Sequence, residues 1–192
     1  MPDLVLASTS PYRRALLARL GVPFRWRAPL VDEEARKDPS LPPRSLAARL
    51  ARAKAESLSD SEPGAVVIGG DQLVAFDGRL FGKPGDARGA VDQLLALSGR
   101  SHELLTAVAV RHPGGVEEHL DVTTLRMRDL SRAEVERYVA ADRPFDCAGS
   151  YKLEERGVCL FDRIDSADHT AVTGLPLIAV TTILKGLNFA IP

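Results

Sequence analysis

Apolar positions along the 192-residue chain fall into short runs whose period changes from one run to the next. "LVLAS" (4–8) is apolar and too short for a helix, so it predicts a buried strand. It feeds directly into "SPYRRALLARLG". Here Ser10 suits an N-cap, Pro11 the first helical position, Leu16, Leu17 and Leu20 an apolar face, and Gly21 a stop. "FRWRA" (24–28) alternates and predicts a strand, whereas "VDEEARKDPSLPP" (31–43) is polar and proline-rich and predicts an irregular surface loop. Residues 44–59 carry Leu46, Leu50, Ala53 and Leu58 at helical spacing. "AVVIGGD" (65–71) is the most strand-like run and is expected to end abruptly at its two glycines and Asp71. Residues 73–84 predict a hairpin turning at Asp77-Gly78, and a helix follows over roughly 86–98. "HELLTAVAVRH" and "EEHLDVTTLRM" are two strands joined at Pro113-Gly114-Gly115. Ser131 and Glu134 form the capping-box pattern of a helix over 131–141. "GVCLFDRI" (157–164) reads as a strand and "GLPLIAVTTILKGL" (174–187) as a closing helix. Strands and helices alternate with antiparallel hairpins inserted, so the fold class is α/β, a mixed sheet with helices packed on it.

Composition changes this picture little. With 45% hydrophobic and 27% charged residues the chain is that of an ordinary globular protein. A formal net charge of −1, with no basic stripe or interleaved aromatics, argues against nucleic acid or an anionic membrane as partner. No signal peptide and no membrane-spanning run is legible, and Cys147 and Cys159 form neither a CxxC pair nor a disulfide framework. Together these imply a cytoplasmic protein with reduced thiols, its cysteines packed in the core.

Two strand-to-helix junctions draw attention. Arg13 and Arg14 occupy the first turn of the first helix, where a cation is disfavoured by roughly 0.3–1 kcal/mol. Beside the hydroxyls of Ser8, Thr9 and Ser10 they suit a bound anion, above all a polyphosphate; the plainer reading is that both snorkel into solvent. At "IGGDQ", Gly69 and Gly70 let a backbone or ligand approach closely, and Asp71 is a carboxylate at a strand end, or a turn cap. Asp32 and Glu33 read as a solvated charge run, Lys54 alone as a surface lysine, and Lys83 as a cation on a rigid Gly-Lys-Pro loop. The four histidines lack ligand spacing, and there is no GxSxG, Walker A or GxGxxG pattern. Separated carboxylates with separated cations suit metal-assisted hydrolysis of a phosphoanhydride.

"LASTSPYRRALLARLG", "VDE", "AARLARAKAES", "VIGGDQ", "FGKP", "CAGSYKLE" and "TGLPL", in that order, make the chain resemble the Maf family of nucleotide pyrophosphatases nearly end to end. The resemblance implies an ITPase-like α/β fold: a single 1–192 domain with an elongated mixed sheet, two lobes flanking a cleft, and a homodimer. It implies hydrolysis of a nucleoside triphosphate to the monophosphate and pyrophosphate, with Mg²⁺ or Mn²⁺ as cofactor. Position by position, Ser10, Arg13 and Arg14 match the phosphate-binding helix start. Glu33, Lys54, Asp71 and Lys83 match the polar cluster around phosphate and metal, with Asp71 the proton acceptor and Glu33 and Asp71 the metal carboxylates. Members acting on dTTP and UTP carry Arg, Thr and Gln where this chain has Tyr12, Gln72 and Glu154. That departure, with "CAGSYK", resembles the branch acting on 7-methyl-GTP, a house-cleaning activity. Alternatives are a dTTP/UTP pyrophosphatase and a non-catalytic regulator of septum formation.

Overall fold

Leu4–Ala7, buried at all four positions, forms β1, which pairs in parallel with β2 (Arg25–Arg27) on one side and with β3 (Val66–Phe76) on the other. The computed structural model, which describes residues 2–36, 38 and 40–192, places these strands in a seven-stranded sheet. Its order is β2-β1-β3-β5-β6-β7, where β5 is Ser101–His112, β6 is Gly115–Met127 and β7 is Phe161–Asp165, while β4 (Arg79–Phe81) pairs antiparallel with β3. The helices are α1 (Pro11–Ala18), α2 (Glu33–Arg36), α3 (Pro43–Glu56), α4 (Ala87–Leu97), α5 (Arg132–Asp142) and α6 (Leu177–Gly186). The α/β class and the mixed sheet follow the expected pattern.

The chain divides into two compact units. The first comprises residues 1–71, 106–121 and 168–192; the second comprises 72–105 and 122–167. In the first unit, strand alternation sorts the core into two faces. Leu4, Leu6, Val66 and Ile68 join Leu16 and Leu17 of α1 and Val180, Ile183 and Leu184 of α6. Val5, Ala7 and Val67 turn the other way, towards Leu58 and Ala65. Burying Leu16 and Leu17 contributes roughly 1.5–3 kcal/mol each, enough to outweigh two arginines at the wrong end of an eight-residue helix. In the second unit α4 packs on α5, which has both halves of the Ser131–Glu134 capping box. Its core includes a ring cluster in which the Tyr151 hydroxyl lies 3.1 Å from His102 Nε2 and the Tyr151 ring meets Phe161 edge-on at 5.0 Å. Burial lowers the His102 pKa to about 4, so this imidazole is neutral.

Four local expectations need correction. β3 does not stop at Asp71 but runs on to Phe76, because its glycines give up side-chain volume without breaking the strand; the hairpin then turns at Asp77 and Gly78, both at positive φ. The acidic stretch is not wholly irregular, since the Asp32 carboxylate accepts the Ala35 N–H and starts α2 (Lys37 and Pro39 of that stretch lie outside the described residues). Residues 157–160 are not a strand: the Gly157 N–H donates to the Lys152 carbonyl instead of to a ladder partner, and the Phe161 N–H turns back to the Val158 carbonyl, the three-residue spacing of the 3-10 turn over Arg156–Leu160. The cysteines are not core residues, since Cys147 is half-buried and Cys159 exposed.

Candidate active site

Alternation along β3 explains how the site is assembled. Residues 67, 69 and 71 share one face and 68 and 70 the other. On the first face, a Cβ at Gly69 would lie 2.3 Å from the Ala51 carbonyl oxygen and 2.5 Å from the Ala55 nitrogen. The bare glycine therefore lets the backbone of α3 rest directly on the strand. Lys54 lies on the same packed face of α3 as Ala47 and Ala51, and its ammonium reaches Asp71, two residues along β3 from Gly69. Lys54 is thus a buried lysine and not the surface one its Ala-rich neighbourhood suggests alone.

The Lys54 ammonium sits 2.7 Å from Asp71 Oδ1 and 3.0 Å from Glu33 Oε2. Both Lys54 and Asp71 are nearly enclosed, at 8% and 7% side-chain exposure, whereas Glu33 is 46% exposed. The second carboxylate oxygen, Asp71 Oδ2, is buried and has no hydrogen-bond partner among the described residues. Burial raises the Asp71 pKa and Glu33 adds to the rise, while Lys54 and Arg13 oppose it. An enclosed ion pair of this kind is weak evidence for stability, because desolvation consumes most of the Coulombic gain; its perturbed carboxylate is better evidence of a functional site.

The other face of β3 serves Arg13. A Cβ at Gly70 would come 3.4 Å from Arg13 Nε, so the glycine leaves the guanidinium its place. Arg13 Nε donates to the Gly174 carbonyl at 2.8 Å, and burial lowers its pKa against the pull of Asp71 and Glu33. It does not snorkel into solvent. Ser10 is the N-cap of α1, its hydroxyl accepting the Arg13 N–H, and the Ser8 hydroxyl in turn accepts the Ser10 N–H. Arg14 lies with its guanidinium carbon 4.3 Å from the centroid of the half-exposed Trp26 ring, and its buried Nε lacks a partner among the described residues. Tyr12 is half-buried in the same first turn.

The structure therefore brings Arg13, Glu33, Lys54 and Asp71 together, with Ser10, Tyr12 and Arg14 on the same helix start. Gln72, Lys83 and Glu154 belong to the second unit. Gln72 follows Asp71 on β3, Lys83 is exposed between β4 and α4, and Glu154 is exposed in the turn before Arg156–Leu160. Partial burial raises the Glu154 pKa, assisted by Glu155 and Asp146 and opposed by its own backbone N–H and Lys152. The close approach expected at Gly69 and Gly70 is made by the α3 backbone and by Arg13, whereas sequence reasoning missed the role of Gly174. The signal for Gly174 was "TGLPL", a motif without an assigned chemistry, whose glycine stands at φ +114°.

A model of the Maf family, described as Maf-like protein, matches residues 3–187. The chain belongs to the Maf family. A curated relative from Bdellovibrio bacteriovorus named 7-methyl-GTP pyrophosphatase is 50% identical over 186 residues, covering 97% of each chain. Relatives with the same name from Xanthomonas oryzae and Pseudomonas syringae are 46% and 44% identical, each covering 100% of both chains. Among solved structures, a HAM1 protein from Coxiella burnetii matches 97% of this Maf protein and 100% of its own chain, with a TM-score of 0.51. At 16% identity that likeness speaks for the fold alone, which agrees with the ITPase-like expectation. No helix among the described residues is long and apolar enough to cross a membrane.

Proposed function

We propose that this protein hydrolyses 7-methyl-GTP to 7-methyl-GMP and pyrophosphate, removing a modified nucleotide in the cytoplasm, and that it does so as a homodimer. The observation that carries the chemistry is the Lys54 ammonium clamped between Glu33 and Asp71, with Asp71 Oδ2 buried and unpartnered. The observation that carries the substrate is the name shared by relatives at 44–50% identity across nearly the whole chain.

The oxygen of a water forms a bond to the α-phosphorus as the bond from that phosphorus to the bridging oxygen breaks. Pyrophosphate leaves with the electron pair, and one water proton goes to Asp71 Oδ2. A carboxyl held above its ordinary pKa is a stronger base than an exposed one, which suits this task. Arg13 and Arg14, at the amide-rich start of α1, bind the phosphate oxygens, and the anion relieves the clash between arginines and helix dipole. Lys54 holds Asp71 as a carboxylate, and Lys83 supplies a further cation to the phosphates.

The donor set fits a divalent cation completed by substrate. Among the described residues no group of three His, Cys, Asp or Glu forms a metal cage. Mg²⁺ commonly uses one or two carboxylates and takes its other ligands from phosphate and water. Glu33 and Asp71 are the two that would hold Mg²⁺ or Mn²⁺, and the orphaned Asp71 oxygen suits either a cation or a water. Such a cation supplies neutralisation of charge developing on the phosphate oxygens.

The 7-methylguanine ring is cationic, and an aromatic face attracts such a ring by roughly 0.5–2 kcal/mol. Tyr12 supplies that face, Gln72 a polar contact, and the Glu154 carboxylate accepts from the guanine N1–H and N2–H₂ together. Incubating the protein with normal and modified triphosphates in Mg²⁺ or Mn²⁺ tests the reading. The expected result is 7-methyl-GMP and pyrophosphate formed fastest, with Glu154→Gln losing far more activity on 7-methyl-GTP than on UTP. Wild-type preference for UTP or dTTP would favour the other Maf specificity, and no turnover of any triphosphate a non-catalytic role.

A further inference from the structure

Two loops of the second unit carry residues assigned above to substrate: the 82–85 turn with Lys83, and the 147–156 segment with Glu154. Both are tied to one side chain of α4. Gln93 Nε2 donates to the Gly82 carbonyl at 3.1 Å, and Gln93 Oε1 accepts the Ser150 hydroxyl at 2.6 Å. The Ser150 end is a built site. Ser150 is fully buried and non-glycine, yet stands at φ +64°, directly after Gly149 at φ +74°. A Cβ at Gly149 would meet the Tyr151 ring at 2.8 Å and Val74 at 2.9 Å, so the first of these two left-handed positions leaves no room for a side chain. The segment is held downstream as well: the Tyr151 hydroxyl lies 3.1 Å from His102 Nε2, the Lys152 N–H donates to the Tyr138 hydroxyl at 2.9 Å, and the Arg156 N–H and Nη1 donate to the Asp142 carboxylate at 2.9 and 2.8 Å. None of these reaches the Lys83 turn. The Gly85 N–H donates to the Phe145 carbonyl at 3.2 Å, a backbone tie that keeps the turn attached when Gln93 is changed.

We propose that Gln93 is a positioning residue whose amide bridges the Gly82 carbonyl and the Ser150 hydroxyl, so that the phosphate-side cation Lys83 and the base-side acid Glu154 are set by one side chain. An amide suits this place because it offers a donor and an acceptor on one rigid plane. The two arms are separable by chemistry. Gln93→Glu keeps an acceptor for Ser150 but cannot donate to Gly82. Gln93→Met keeps nearly the same volume and loses both bonds. The functional half of the proposal rests on the roles given above to Lys83 and Glu154; the bridge itself does not.

The test uses the full-length protein. Hydrogen exchange without substrate is expected to quicken at 82–85 alone in Gln93→Glu, and at both 82–85 and 149–152 in Gln93→Met. Kinetics are then read on the triphosphate that the wild-type protein turns over fastest, beside one with a different base. Each variant is expected to raise KM roughly two- to tenfold with kcat little changed, the scale of one lost hydrogen bond. Discrimination between the two bases is expected to fall only in Gln93→Met. Exchange unchanged in both variants, exchange quickened uniformly across the second unit, or KM unchanged despite altered exchange would each overturn the proposal. A wild-type preference for a pyrimidine triphosphate would instead remove the assigned substrate, while the exchange pattern and the KM effect still decide the bridge.

Discussion

Asp71→Asn is expected to remove most turnover, on the scale of about 10²–10⁴-fold, while the protein folds and still binds the triphosphate. The amide keeps an oxygen for the Lys54 ammonium, which also retains Glu33 at 3.0 Å, so the packing of α3 on β3 has no reason to fail. What disappears is the free carboxylate oxygen proposed to take a proton from water. The pH profile separates this from a structural lesion. A base at Asp71 works as the carboxylate and burial raises the Asp71 pKa, so wild-type kcat/KM is expected to fall on the acid side at a pH above the ordinary carboxylate range. Residual activity of Asp71→Asn is expected to lack that acid limb. Near-normal turnover in a folded Asp71→Asn protein would end its assignment as the base.

Gly69→Ala is expected to damage both stability and activity, although it adds one methyl group. That methyl would meet backbone atoms of α3 at 2.3 and 2.5 Å, and neither can rotate away. Overpacking of this kind costs about 1–3 kcal/mol or more, a fall of several degrees in Tm for a chain of this size. Because the clash falls at Ala51 and Ala55, the helix moves where it carries Lys54, and kcat is expected to fall with Tm. Gly186→Ala, which has open space around its Cβ, is the control and is expected to leave Tm unchanged. Thermal melts and single-turnover rates of both variants check the pair; equal melts would show that α3 has slack against β3.

How legible this was depends on what kind of signal each residue leaves. Strand and helix positions followed from apolar period and caps: Ser131 with Glu134 and Asp77 with Gly78 behave as their chemistry requires. The family resemblance, carried by seven ordered motifs, is borne out by the match over residues 3–187. The burial of Lys54 was not readable from its helix, because the cause lies on another strand, in the missing side chain of Gly69. β3 passes through Asp71 without ending there because Val74, Ala75 and Phe76 go on to pair with β4. Glycines are ambiguous in a linear reading: a glycine that admits a helix looks like one that breaks a strand. Asp32 reads with its acidic neighbours as solvated charge, yet its carboxylate caps α2 and so places Glu33 on the first turn. Gly174 and Gln93 act through a carbonyl and an amide whose partners are remote in sequence, at Arg13 and at Ser150, and no local pattern announces such bonds.

In the proposed reaction, water attacks the α-phosphorus of 7-methyl-GTP at the Glu33–Lys54–Asp71 cluster. Hydrolysis in ¹⁸O-labelled water, with mass analysis of both products, tests it most directly. The predicted result is one ¹⁸O in the phosphate of 7-methyl-GMP and none in pyrophosphate. Label in pyrophosphate, or release of labelled orthophosphate with 7-methyl-GDP, would place the attack on a different phosphorus and contradict the assignment.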